Sequence, residues 1–136
     1  MLDLDYVGNE SILFNRFKSY VIKSHPIGSR YVCDPPVLDT DKDTLILVTD
    51  TKAACQILLE LGWTYCLNGE YFEGFFMALR KGEDNYILTA HEMFFDRYVV
   101  AAEVAKRLNV KDKQTRIAIH EACIGASGGI IGLVEW

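Results

Sequence analysis

Five residues in the first third of this 136-residue chain have the types and spacing to handle a phosphate and a divalent cation: Gly28, Ser29, Arg30, Asp41 and Asp43. Asp39-Thr40-Asp41-Lys42-Asp43 runs directly into an apolar, β-prone stretch over residues 44–49. If strand geometry begins by Asp41, then Asp41 and Asp43, two positions apart, point to the same face and Lys42 to the other. Like charges that close require a cation or a proton between them. Magnesium takes a few carboxylates together with water and phosphate oxygens, so an Asp-x-Asp pair at a strand edge is a suitable half-site. Upstream, Ile27-Gly28-Ser29-Arg30 offers a glycine that lets a phosphate approach the backbone, a serine hydroxyl as donor, and a forked guanidinium.

The same residues have plainer readings. An acidic run before a strand is often a solvated turn, and Gly-Ser is often only a turn. Asp39, Asp41, Asp43 and Asp50 also fall at positions 1, 3, 5 and 12 of a calcium-loop count. Thr44 stands where that loop needs Gly, its last ligand is Asp instead of Glu, and the residues after Asp43 read as a strand.

The combination is more specific: a helix, a hydrophobic-Gly-Ser-Arg segment, a short connection, Asp-x-Asp and an apolar strand. In this order the sequence resembles the nucleotidyltransferase superfamily over residues 10–124, and most of all its small phage-encoded nucleotidyltransferase-like proteins. Phe76-Met77-Ala78-Leu79-Arg80-Lys81-Gly82, Asn85-Tyr86-Ile87-Leu88-Thr89, Glu92-Met93-Phe94-Phe95-Asp96-Arg97-Tyr98 and Asp112-Lys113-Gln114-Thr115-Arg116-Ile117-Ala118 carry that likeness further. The resemblance implies that Gly28, Ser29 and Arg30 hold a nucleoside triphosphate. It implies that Asp41 and Asp43 bind Mg2+ and serve catalysis, and that a nucleotidyl group passes to a hydroxyl on a protein, a nucleotide or an RNA end. Active members of the superfamily place a third carboxylate on a later strand. Here that position falls on Asn85, with Asp84 one residue off and directed to the opposite face of a regular strand. A bulge at the turn would bring Asp84 round. Asparagine cannot serve as a base, so a degenerate fold that binds a nucleotide or a host protein is the competing expectation.

The elements that must position these residues follow from pattern. A helix is expected over residues 10–23, with Leu13, Phe17, Tyr20 and Val21 on its buried stripe. Residues 31–33 read as strand-like, and Asp34-Pro35-Pro36 as irregular. The run 44–49 reads as a central buried strand, followed by a helix over 52–61 capped by Asp50 or Thr51 and stopped by Gly62. Residues 75–79 and 86–89 read as a hairpin, and 92–108 and 112–123 as two helices. The expected architecture is a single mixed α/β (α+β) domain over residues 1–136, a mixed β-sheet with helices packed on it and a C-terminal helical pair.

Half the residues are hydrophobic and 24% are charged, as in a soluble globular domain. The net charge of −5 argues against bulk attraction to nucleic acid. Cys33, Cys55, Cys66 and Cys123 make no CxxC pair, so reduced structural thiols are expected, Cys55 buried in its helix. The Gly-rich stretch 124–134 is too short for a membrane span. A cytoplasmic protein is expected, in the host cytoplasm if phage-encoded. The Gly-rich apolar tail reads as a docking segment or homo-oligomer contact, and the aromatics between Trp63 and Phe76 as hairpin packing or a base-stacking surface. His25, His91 and His120 form no motif, although His25 stands three residues before Gly28.

Overall fold

A computed structural model describes residues 2–33, 42–66 and 76–124. The expected α/β architecture is observed. The elements are α1 (Leu2–Tyr20), β1 (Val21–Ile27), α2 (Ser29–Val32), β2 (Lys42–Val48), α3 (Thr51–Glu60), β3 (Thr64–Tyr65), β4 (Met77–Lys81), β5 (Asp84–Thr89), α4 (Glu92–Arg107) and α5 (Lys113–Ile124). The strands form one sheet in the order β1-β2-β5-β4-β3. Only β2 and β5 are parallel, and the other neighbours are antiparallel.

The centre of the sheet explains the apolar run. Leu45, Ile46, Leu47 and Val48 are all buried, because helices cover both faces. Leu45 and Leu47 join Ile27, Phe94, Phe95 and Tyr98 in the core beneath α4. Ile46 and Val48 join Phe17, Leu58, Trp63 and Leu79 in the core beneath α1 and α3. Asp50 caps α3 by accepting a hydrogen bond from the Ala53 N–H at 3.1 Å. Asp50→Ala removes this partner, and we expect a loss of about 1 kcal/mol, read from the urea midpoint.

Three local expectations are corrected. The first helix ends at Tyr20, and residues 21–27 form a strand. Pro26 hid that strand, but β1 is at the sheet edge, where a missing N–H is tolerated. Residues 31–33 are not a strand: Tyr31 and Val32 donate backbone bonds to the Gly28 carbonyl and form the short turn of α2. Buried Val32 and the contact of Tyr31 with α4 override their local β preference. The hairpin strands are also displaced, to 77–81 and 84–89, so that only Gly82 and Glu83 turn the chain.

The C-terminal helical pair is closed by His120, which is 6% exposed and meets Tyr98 edge-on with ring centres 4.9 Å apart. Burial holds the His120 imidazole below its ordinary pKa; the Nδ1–H bond to the Arg116 carbonyl opposes this, and the Arg116 charge adds to it. Below about pH 6.5 the unfolded chain therefore binds a proton at this residue that the folded chain resists. We expect stability to fall as pH drops from about 7 to 5, with a shallower slope in His120→Gln, measured by urea unfolding across that range. Cys55 is buried as expected; desolvation raises its thiol to about 11, against a lowering hydrogen bond with Tyr65. No helix among the described residues is long and apolar enough to cross a membrane.

Candidate functional site

Register brings the chemistry-bearing residues to one end of the sheet. Ile27 on β1 pairs with Asp43 on β2, Asp43 with Asn85 on β5, Asn85 with Arg80 on β4, and Arg80 with Thr64 on β3. Residues paired across strands share a face. Asp43, Leu45 and Leu47 thus look toward α4, and Asp43 lies where the sheet emerges from that core.

Gly28 follows Ile27 with φ 79° and ψ −177°, a conformation nearly confined to glycine. It also makes the room that Asp43 uses. A Cβ at residue 28 would stand 3.0 Å from Asp43 Cγ and well inside contact distance of Oδ2. The carboxylate therefore sits in the hollow that the missing side chain leaves. Ser29 begins α2 immediately beyond.

The other Asp43 oxygen is held by Asn85, whose Nδ2 donates to Oδ1 at 2.9 Å. The amide oxygen of Asn85 accepts from the Cys66 thiol at 3.3 Å. The chain of donors thus runs from Cys66 through Asn85 to Asp43. Asp84 pairs with Lys42 and Lys81, on the alternate face of β5, and the strand keeps regular register there. Asp41 lies outside the described residues. Arg30 reaches the β4–β5 turn, its Nη2 donating to Glu83 Oε2 at 2.9 Å.

Two groups unmarked in the sequence support this end. Tyr98, buried on α4, has its phenol raised well above its ordinary pKa by desolvation and, second, by the charge of Asp43. Its position in the apolar stripe of an amphipathic helix concealed it. Tyr31 ties α2 to α4 through its hydroxyl, which donates to Glu103 Oε1, and Lys106 Nζ lies 3.9 Å from the Tyr31 ring centre. His25 Nε2 approaches the same Glu103 oxygen at 3.1 Å, while His25 Nδ1 donates to the Pro26 carbonyl at 2.7 Å. The Tyr31 bond and, less strongly, the His25, Lys106 and Arg107 charges hold Glu103 below the ordinary carboxylate range against desolvation. The spacing of His25 to Gly28 was the one hint of this network.

The donor set suits magnesium only as a half-site. Among the described residues no three His, Cys, Asp or Glu side chains gather as a metal cage. Asp43 offers a carboxylate oxygen, and Asn85 would offer its amide oxygen after rotation of the amide. Magnesium that brings its own water and phosphate ligands needs little more from the protein.

No protein-family model matches the sequence. No curated protein matches it either. Among solved structures, the chain is similar to the conserved protein GrpB from Enterococcus faecalis, with a TM-score of 0.50 and 17% identity, over 89% of this chain and 92% of that one. At that identity the likeness is one of fold. With its five-stranded mixed sheet, flanking helices and helical pair, the chain has a mixed α/β fold similar to that of GrpB.

Proposed function

We propose that the protein binds a nucleoside triphosphate together with Mg2+ at the Gly28, Ser29, Asp43 and Asn85 end of the sheet, and that its chemistry is nucleotidyl transfer to a hydroxyl acceptor. The observation that carries this reading is the seating of the Asp43 carboxylate in the hollow of Gly28. A cation held by Asp43 would then lie beside the Gly28–Ser29 loop, where a triphosphate could share it. Asp41 would add a second carboxylate and Arg30 a guanidinium once released from Glu83. Bound magnesium would supply charge neutralisation at the phosphates. The protein's own contribution is to fix Asp43 through Asn85 and to fix the loop through Tyr31 and Glu103.

Asn85 also favours a second reading, a catalytically degenerate binding protein, such as a phage-encoded effector acting in the host cytoplasm on a protein or nucleotide. Its amide stabilises Asp43 without a cation and has no basic atom with which to activate an acceptor.

Thermal unfolding with ATP, GTP, CTP and UTP, with and without Mg2+, tests binding directly. We expect a magnesium-dependent rise for at least one nucleotide and its loss in Asp43→Ala. No rise with any nucleotide defeats the binding reading. Pyrophosphate release with candidate acceptors separates the transferase from the binder.

A further inference from the structure

We infer that the acceptor side of this site takes a small phosphate-bearing molecule, a nucleoside monophosphate or a close relative, and that Arg80 holds its phosphate. The inference rests on the nucleotide-binding reading above and adds the class of second substrate. Its basis is the row of paired residues across the sheet. Asn85 reaches Asp43 on one side, and its partner on the other side is Arg80. Arg80 therefore projects from the same face as Asp43, whereas its neighbour Leu79 is buried in the opposite core beneath α1 and α3. Arg80 is exposed, and its backbone lies two strand spacings, about 10 Å, from that of Asp43, a gap that its long side chain and a bound ligand can span.

The direction of transfer assigns this side. In phosphoryl chemistry the attacking and leaving oxygens lie roughly in line through phosphorus. With the terminal phosphates on Gly28 and Ser29, at the β1 end of the row, the leaving pyrophosphate departs toward β1. The acceptor must then approach from the β5 and β4 side, over Asn85 and Arg80. Its hydroxyl oxygen donates a lone pair to the α-phosphorus as the bond from that phosphorus to the bridging oxygen breaks. Pyrophosphate leaves with that electron pair, and the hydroxyl proton passes to water, because Asn85 has no basic atom. A guanidinium on the approach side selects an anionic acceptor, and its fork suits phosphate. The net charge of −5 disfavours a long polyanion and favours a small one.

The test uses the full chain, Mg2+ and an ATP analogue with a methylene group between the α- and β-phosphates, which cannot release pyrophosphate. With the analogue saturating, we expect adenosine monophosphate to raise the melting temperature further and adenosine to leave it unchanged. Arg80→Gln should weaken the monophosphate effect at least tenfold without weakening protection by the analogue, and Arg80→Lys should retain part of it. The inference is overturned if the monophosphate adds nothing, or if Arg80→Gln leaves its effect intact. It is equally overturned if Arg80→Gln abolishes analogue protection, which would place Arg80 on the triphosphate. A short 5′-phosphorylated oligoadenylate that outperforms the monophosphate would assign the side to an RNA end instead. Failure of the analogue to protect the wild type at all defeats the underlying nucleotide reading, a result distinct from these.

Discussion

Asn85→Asp should destabilise the protein in chelator and recover that stability when Mg2+ is added. In the wild type the Asn85 amide donates to Asp43 at 2.9 Å. An aspartate there puts a second negative charge at that separation and removes the Asn85 donor. It leaves the Cys66 thiol a good acceptor, so the new side chain stays in place. A lost hydrogen bond to a charged group is worth about 1.5–3 kcal/mol, and repulsion between the carboxylates adds to it. For a domain of this size the expected fall in melting temperature is about 5 °C or more. A divalent cation removes the repulsion, so Mg2+ affinity should rise about tenfold or more, equivalent to about 1.4 kcal/mol. The new carboxylate also supplies the base that Asn85 cannot, so pyrophosphate release should increase over the wild type. Asn85→Ala serves as the control: it loses the bond to Asp43 without adding charge, and magnesium should not rescue it. Calorimetry with and without Mg2+ reads both variants. Equal magnesium responses in the aspartate and alanine variants would remove the cation from this account.

Gly28→Ala is expected to cost more than any surface substitution and to abolish nucleotide protection. Two effects act together. The backbone at φ 79° and ψ −177° is strained for any residue with a side chain, at about 1–3 kcal/mol. The added Cβ also falls on Asp43, 3.0 Å from Cγ and closer to Oδ2. Asp43 must turn away, and the Asn85 bond is lost with it. The second effect depends on Asp43 and the first does not. In the Gly28→Ala/Asp43→Ala double variant the carboxylate is gone, and what remains is the backbone strain and a close approach of 3.1 Å to the Cβ of residue 43. Urea unfolding of the four proteins should therefore show a coupling of at least about 1 kcal/mol between the two positions. Strict additivity would show that residues 28 and 43 do not meet.

The sequence disclosed the partnership of Gly28, Asp43 and Asn85 only in part. The pair Gly28 and Asp43 was marked by motif, and the apolar run after Asp43 announced a strand buried on both faces. Period two then placed Asn85 and Asp84 on opposite faces, and the pairing of Asn85 with Asp43 agrees with that parity. Arg80, Tyr98 and Glu103 carried no such mark. Each belongs to an element whose local pattern is ordinary: a strand beside a turn, an apolar helix stripe and a charged helix face.

By itself, the sequence determined the α/β composition, the central strand, the helix capped by Asp50 and the parity of side chains along each strand, because these depend on neighbours a few residues away. Strand order, the β1 edge, the turn of α2 and the row from Gly28 to Arg80 were decided only in the tertiary structure. They depend on pairings between segments distant in the chain, such as residue 43 with 85 and 31 with 103. Local preference fixes which way a side chain points along its own strand. Packing alone fixes which strand lies beside it, and so which groups meet.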